Sequence, residues 1–172
     1  GQPLVQRLGD KTYSWNSVRI LIPDMIAAGL LGYAYTCPDM IGGGEFTTFL
    51  NKKAEDFDQS LIVRSAQVHA LMPMMQYSVA PWRILNTENL EIVRQCALLH
   101  EKFGDYILEA AKQSSKTGEP ILRHMEYSFP AEGFATVTDQ FMLGEKYLVA
   151  PVVDNRLERE VKLPKGYKKK EK

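Results

Sequence analysis

The stretch LVQRLGDKTYSW, residues 4–15, decides the fold because an apolar run stops there at a glycine that is followed by a carboxylate. Short apolar runs that end at glycine are typical of β-strands, so residues 4–8 are predicted to form a strand. The first acidic side chain beyond this strand is Asp10, and Trp15 follows it. A carboxylate in this position either caps the next helix or donates a proton in catalysis, and local sequence leaves both interpretations open.

The segments after Trp15 alternate between helix-like and strand-like patterns. They first predict a helix over 16–28, with Ser14 or Asn16 as N-cap, a kink or a restart at Pro23 and a stop at Gly29. A strand over 30–36, the loop CPDMIGGG (37–44) and a polar loop over 45–58 follow. They next predict a helix over 61–71 capped by Asp58 or Ser60 and closed by Pro73, a strand over 74–78 and a helix over 89–113. Such alternation is typical of a parallel α/β layer, in a barrel or an open sheet.

The predicted helix over 89–113 rests on one apolar stripe with steps of three and four residues. Its members are Ile92, Cys96, Leu99, Phe103, Ile107 and Ala110. Beyond Gly118 the pattern changes to strand-like runs over 120–129, 140–153 and 159–164. We therefore predict a boundary there, with one unit over 1–118 and a second, all-β unit over 119–172. Because the chain opens on a strand and its last strand is short, both units are expected to be parts of a larger protein.

Composition predicts a soluble globular chain and narrows its partners. Of the 172 residues 45% are hydrophobic, and 21 basic side chains balance 21 acidic ones. A net charge of zero does not favour nucleic acid or an anionic membrane as partner. The three histidines lack partners at metal-ligand spacing, and the triple glycine at 42–44 lacks the residues of a phosphate-binding loop, so it is interpreted as a flexible turn. No metal and no other cofactor is predicted.

Polar side chains follow three of the predicted strands. They are Asp10, Asp39, and Gln76 with Ser78. In a (β/α)8 barrel these strand ends share the face that carries the reacting groups, although each side chain could instead cap a turn or satisfy backbone groups. Aromatic faces beside carboxylates suit a sugar, and Trp15 and Trp82 are the aromatics that we favour as pocket walls.

Four motifs together resemble glycoside hydrolase family 31. They are RLGDKTYSW (7–15) with IPDMIAAGLLGYAYTCPDMIGGG (22–44), VRSAQVHALMPMM (63–75), DQFMLGEKYLVAPVV (139–153) and LPKG (163–166). The likeness runs from about residue 4 to 166, in the order and spacing of the family. It implies the C-terminal part of a (β/α)8 TIM barrel, about strands 6 to 8, followed by the beginning of an all-β sandwich domain.

The resemblance also implies roles for individual residues. Asp10 falls on the general acid/base of a retaining glycosidase, Asp39 on a carboxylate that binds sugar hydroxyls, and Trp15 on an aromatic near the acid. No residue matches the nucleophile, which the family carries on an earlier strand, in the missing N-terminal part of the barrel. The expected substrate is an α-linked oligosaccharide or glycoside, and the chain alone is expected to be inactive.

The predicted strand 74–78 departs from the pattern of the α-glucosidases. These enzymes usually end it Arg-Asn-His, where this chain has Gln76, Tyr77 and Ser78. The stretch MPMMQYSVAPW (72–82) instead resembles the myogenesis-regulating glycosidase branch, which is associated with α-galactosidase activity. An α-galactosidase-like parent is therefore predicted, with Gln76, Ser78 and Trp82 among its substrate contacts. An α-glucosidase, or a non-catalytic carbohydrate-binding or interaction protein on a degenerate barrel, are the alternatives.

Overall fold

The computed structural model describes residues 5–50 and 52–167. Its helices are α1 (Trp15–Leu30), α2 (Phe46–Leu50), α3 (Gln59–His69), α4 (Thr87–Lys102), α5 (Gly104–Thr117) and α6 (Met125–Ser128). Its strands are β1 (Gln6–Arg7), β2 (Thr36–Cys37), β3 (Leu122–His124), β4 (Phe141–Leu143) and β5 (Tyr147–Val149). Residue 4 of the first predicted strand, and the outer ends of both predicted units, lie outside the described residues.

The first part of the chain is an α/β arrangement with parallel strands. β1 pairs with β2 in parallel, with Arg7 opposite Cys37, and Ile41 forms an isolated parallel bridge to Tyr77. The predicted strands over 30–36 and 74–78 were too long, because only Thr36–Cys37 and this single bridge are paired. The alternation of strand and helix agrees with the prediction, and Asp10 and Asp39 follow β1 and β2 along the chain.

Helix α1 corrects two predictions about its interior and its end. Ser14 is the N-cap, and the helix then runs through Pro23 to Leu30 without the predicted restart. A buried face that includes Leu21, Ile22 and Met25 holds it together through the proline. Gly29 does not stop the helix; a Cβ on it would lie 3.0 Å from Pro120 Cβ, so this glycine permits a close approach to the segment before β3.

Two further helix predictions differ from the structure. The polar segment 45–58 is not a plain loop, because it contains α2 and a 3₁₀ turn at Ala54–Asp56. The single helix over 89–113 was wrong, since α4 ends at Lys102 with Phe103 as its C-cap, and α5 begins at Gly104. The Phe103 amide bonds to the carbonyls of both Leu99 and His100, which tightens the last turn before the glycine. The apolar period continues across this break, which is why periodicity alone missed it.

The second part of the chain is an antiparallel sheet in the order β3-β4-β5. The strand-like run over 120–129 is only partly a strand, because α6 begins directly after β3 with the His124 side chain accepting from the Glu126 amide. Residues 159–164 are not a strand. The buried side chain of Gln140 pairs instead with both backbone groups of Lys162, at 2.9 Å each, and this replaces strand pairing.

One buried hydrophobic cluster joins the two parts. It draws on α1, α3, α5 and the β3–β5 sheet, through residues such as Ile22, Val68, Ile107, Phe141 and Leu143. Chain on both sides of residue 118 therefore contributes to one core. Among the described residues, none of the helices has the length and apolar character needed to cross a membrane.

Candidate active site

Arg7 on β1 connects the two carboxylates that the sequence predicted to be functional. Its Nη2 donates to Asp10 Oδ1 at 2.5 Å, and its Nη1 pairs with Asp39 Oδ1. Asp10 follows β1 and Asp39 follows β2, so the parallel pairing of these strands places both within reach of one guanidinium. The hydrogen bond to Asp10 raises the pKa of Arg7, and the charge of Asp39 adds to this effect. The ends of the two strands thus form one charged cluster.

Asp39 is the buried member of this cluster. Its side chain is 1% exposed, and its Oδ2 accepts from the Lys11 amide at 2.8 Å. The residue has φ +97°, a left-handed value that is uncommon for a residue other than glycine and that often marks a functional position. Burial raises the pKa of the Cys37 thiol, which donates to the Asp39 carbonyl at 3.7 Å. A buried carboxylate held this way has a fixed position.

Asp10 is the accessible member. Its side chain is 56% exposed, and the N-cap of α1 is Ser14, so the capping interpretation of Asp10 was wrong. The Gly-rich loop packs directly against it: the Gly44 amide donates to Lys11 O at 3.0 Å, and a Cβ on Gly44 would lie 2.5 Å from Asp10 Oδ1. The triple glycine therefore does more than form a flexible turn, because it leaves the space that the Asp10 carboxylate occupies.

Gln76 and Ser78 lie beside the segment that carries Asp39. The Ile41 amide donates to Gln76 O at 2.7 Å, and Gln76 Oε1 accepts from the Cys37 thiol at 3.7 Å. The Ser78 hydroxyl lies at 3.1 Å from Ile41 O and also contacts the Gly43 carbonyl. Ser78 thus holds the Gly-rich loop in this structure, whereas the Gln76 side chain is exposed.

The two tryptophans lie in different surroundings. Trp15 Nε1 donates to Asp58 Oδ2 at 3.0 Å, and Asp58 in turn caps α3 by accepting from the Leu61 amide. Trp82 is 72% exposed and borders an apolar groove with Leu90 and Val93. Trp15 is therefore hydrogen-bonded to the N-cap of α3, whereas Trp82 is exposed at the edge of this groove. Their role as pocket walls stays a prediction.

Sequence reasoning missed three residues that build this site. Arg7 joins the carboxylates, and Lys11, only 10% exposed, forms an ion pair with Asp24 at 2.8 Å. His69 is fully buried, and its Nδ1 bonds to Ser65 O at 2.7 Å. Burial lowers the pKa of His69 to about 4, so the ring is neutral at pH 7. The sequence offered one signal for Arg7, its position three residues before Asp10, which is compatible with an ion pair between the two. This spacing did not predict the second ion pair, between Arg7 and Asp39.

Comparison with known proteins defines the class to which this fold and site belong. Residues 118–170 match the family model described as the glycosyl hydrolase family 31 C-terminal domain. A family 31 α-xylosidase from a soil metagenome, solved in complex with xylose, shares the fold with a TM-score of 0.73 over 87% of this chain and 25% of its own, at 21% identity. Residues 118–170 therefore belong to glycoside hydrolase family 31, and the chain as a whole shares the fold of this solved family member.

Three curated relatives extend this comparison along the chain. The myogenesis-regulating glycosidase of Mus musculus is 34% identical over 168 residues, and the SITS-binding protein of Tetronarce californica is 29% identical over 167. An α-glucosidase of Saccharolobus solfataricus is 27% identical over 168 residues. These alignments cover 93%, 94% and 92% of this chain and 23% of each relative, so the chain spans less than a quarter of their length.

Proposed function

We propose that this chain is the part of a retaining α-glycoside hydrolase that carries the general acid/base, Asp10, and a sugar-binding carboxylate, Asp39. The observation that supports this most strongly is the Arg7 bridge, which holds an exposed and a buried carboxylate at the ends of two parallel strands. The accessible Asp10 suits proton transfer to a leaving group. The fixed, buried Asp39 suits recognition of sugar hydroxyls, since its geometry does not depend on solvent.

In this mechanism Asp10 acts twice. It first protonates the leaving glycosidic oxygen while a second carboxylate attacks the anomeric carbon and forms a glycosyl-enzyme intermediate. It then takes a proton from the water that hydrolyses this intermediate. The two carboxyl groups of a retaining pair lie about 5–5.5 Å apart. No residue of this sequence matches the nucleophile of the family, so we assign that carboxylate to a part of the parent protein outside this sequence. Asp39, which Arg7 and the Lys11 amide engage, keeps its role in sugar binding.

The proposed architecture is about strands 6 to 8 of a (β/α)8 barrel followed by the start of a β-sandwich, with the boundary near residue 118. The parallel β1–β2 pair and the parallel bridge between Ile41 and Tyr77 support the barrel part. The antiparallel β3-β4-β5 sheet and the family match that begins at residue 118 support the boundary. In such a barrel Asp10, Asp39 and Gln76 lie at the carboxyl ends of neighbouring strands.

We assign an α-galactoside-type substrate in preference to an α-glucoside. Gln76 and Ser78 present a neutral amide and a hydroxyl where a glucose-binding pocket of the family has charged groups, and the exposed Gln76 supports a direct contact with sugar. A sugar with the wrong arrangement of hydroxyls leaves polar groups of the pocket without hydrogen-bond partners, and this lowers its kcat/KM strongly. The α-glucosidase among the relatives supports the alternative of an α-glucoside.

The two specificities separate in a paired assay. The complete parent protein should hydrolyse aryl α-galactosides with a kcat/KM at least about 100-fold above that for the matched α-glucosides. The reverse ratio would assign the protein to the α-glucosidases. Turnover of neither, with sugar binding retained, would favour the non-catalytic binding protein, an alternative that the similarity to the SITS-binding protein supports.

A second prediction concerns residues 1–172 alone. This polypeptide should not hydrolyse an aryl α-glycoside above the rate of the buffer blank, because it contributes Asp10 without a nucleophile. The parent protein at the same concentration serves as the positive control. Measurable, saturable turnover by the isolated chain that is lost in Asp10→Asn would mean that both carboxylates lie within this sequence.

A third prediction uses the contact between Gly44 and Asp10. In the parent protein Gly44→Ala should lower kcat/KM by about 10- to 100-fold, because the new Cβ displaces the Asp10 carboxylate from its position. The stability should fall as well, since the new Cβ would also lie 2.9 Å from Asp10 Cβ, an atom that rotation of the carboxylate does not move. Steady-state kinetics with a melting curve of each variant measures both effects.

Gly9→Ala is the matched control for Gly44→Ala. Gly9 precedes Asp10 directly, and a Cβ there would meet no atom within 4 Å. This variant should keep the parental kcat/KM. Equal activity of both variants would show that the position of Asp10 does not limit the reaction.

A further inference from the structure

One nitrogen of the buried His69 imidazole is hydrogen-bonded, and among the described residues the other has no hydrogen-bond partner. The ring is 0% exposed, and Nδ1 lies 2.7 Å from Ser65 O, so Nδ1 carries the proton and donates it to this carbonyl. Nε2 of the neutral ring is then an acceptor. Among the described residues nothing donates to it. A buried acceptor without a partner is costly, and native structures rarely retain one.

The backbone of Asp39 does not satisfy this nitrogen. The Asp39 carbonyl raises the pKa of His69, because a nearby acceptor favours the protonated form of the ring. A carbonyl oxygen and the lone pair of Nε2 are both acceptors and cannot bond to each other. A small donor between them would satisfy both.

A small pocket with both polar and apolar lining residues lies beside the ring. It has a volume of about 10 Å³, which is room for about one water molecule, and His69 and Asp39 both line it. The hydroxyls of Thr12 and Ser17 line it as well and lie 3.0 Å apart. A buried water usually makes about three hydrogen bonds to groups that lack other partners. The pocket offers two acceptors and at least one hydroxyl donor.

We propose that one ordered water molecule in this pocket donates to His69 Nε2 and to the Asp39 carbonyl and accepts from the hydroxyl of Thr12 or Ser17. This water connects α3 to the two segments that carry Asp10 and Asp39. His69 is accordingly a positioning residue: it sets the Asp39 backbone through the water and touches no substrate. The catalytic consequence rests on the proposed function of Asp39, whereas the water site does not.

Two substitutions separate the two nitrogens of His69. The amide of Asn reaches about as far as Nδ1, so His69→Asn keeps a donor for Ser65 O and loses the group that faces the water. The amide of Gln reaches about as far as Nε2, so His69→Gln keeps the contact with the water and gives up the bond to Ser65. If His69 only holds α3 together through its bond to Ser65, His69→Asn should be the less damaging variant. If His69 positions Asp39 through the water, His69→Gln should be the less damaging variant.

The variants are compared in the complete parent protein on its best aryl α-glycoside. His69→Asn should raise KM about 10-fold with a smaller change in kcat, because the sugar-binding carboxylate is displaced and the acid is not. His69→Gln should stay within about 3-fold of the parent. His100→Asn is the control: His100 Nδ1 bonds to Ala70 O at 3.1 Å, outside the pocket, so the same replacement of the ring there should leave KM unchanged. Equal losses for Asn and Gln, or a loss for Gln alone, would overturn the positioning role.

The water itself is tested without turnover. A high-resolution crystal structure of the parent protein should show one water within hydrogen-bond distance of His69 Nε2, and the His69→Asn structure should show it displaced or less occupied. If the parent hydrolyses no α-glycoside but the water is present, the proposed function fails and the water site stands. If the parent is active and the density beside Nε2 is empty, the inference about His69 fails alone.

Discussion

Asp10→Asn in the complete parent protein should lower the hydrolysis of substrates with poor leaving groups by about 10²- to 10⁴-fold, the usual contribution of a general acid. An amide cannot protonate the departing oxygen, and the exposed position of Asp10 makes it the carboxylate that can reach this oxygen. Activated aryl glycosides leave without full protonation, so their first step should be affected much less. Their second step still needs a base to activate water.

The variant should therefore accumulate the glycosyl-enzyme intermediate on an activated substrate. A stopped-flow measurement should show a burst of released phenol close to one equivalent of enzyme, followed by slow turnover. Asp154→Asn is the matched control, because Asp154 also pairs with an arginine, Arg156 at 2.7 Å, away from the site. Parental rates for Asp10→Asn on both kinds of substrate would exclude Asp10 as the acid.

Arg7→Met should increase local opening of the two strand ends that carry Asp10 and Asp39. It removes the partner of Asp39, a carboxylate that is 1% exposed, and leaves a buried charge with only part of its hydrogen bonds. Breaking one side of such a pair costs about 2 kcal/mol or more, which corresponds to about 30-fold faster hydrogen exchange where exchange follows local opening. The Leu8 and Lys11 amides report this, since they donate to Cys37 O and Asp39 Oδ2.

Two further variants serve as controls for Arg7→Met. Arg94→Met removes an exposed arginine from an exposed ion pair with Glu91, and should leave the free energy of unfolding nearly unchanged. Arg7→Lys keeps one positive charge but lacks the planar fork that bonds two carboxylates, so it should be intermediate. Unchanged exchange at Leu8 and Lys11 in Arg7→Met would show that Arg7 does not hold the strand ends together.

Local patterns predicted much of the element order. Ser14 caps α1 and Asp58 caps α3, both among the caps expected, because a cap depends on a hydroxyl or carboxylate and the amide three residues later. The predicted helix stopped at residue 113, short of the observed end of α5 at Thr117, where Gly118 follows with φ +78°. The break at Phe103 was missed because the apolar steps continue through it.

Long-range contacts account for the remaining differences. Gly29 looked like a helix stop in sequence, but its lack of a side chain serves a contact with Pro120, far along the chain. Gln140 looked like an ordinary strand residue, yet its amide replaces the backbone pairing expected for the segment around Lys162. Neither role depends on neighbouring residues, so neither leaves a local pattern.

For the candidate site, the sequence by itself determined that two carboxylates follow successive strands and that a glycine-rich loop follows the second. Only the tertiary structure decided that Arg7 joins Asp10 to Asp39, that Gly44 makes room for Asp10, and that His69 lies behind Asp39. The physical reason is that strand ends and caps arise from interactions between near neighbours, whereas a charged cluster depends on parallel strands meeting at one edge. Residues more than 25 positions apart then share hydrogen bonds, as Lys11 and Asp39 do with a separation of 28.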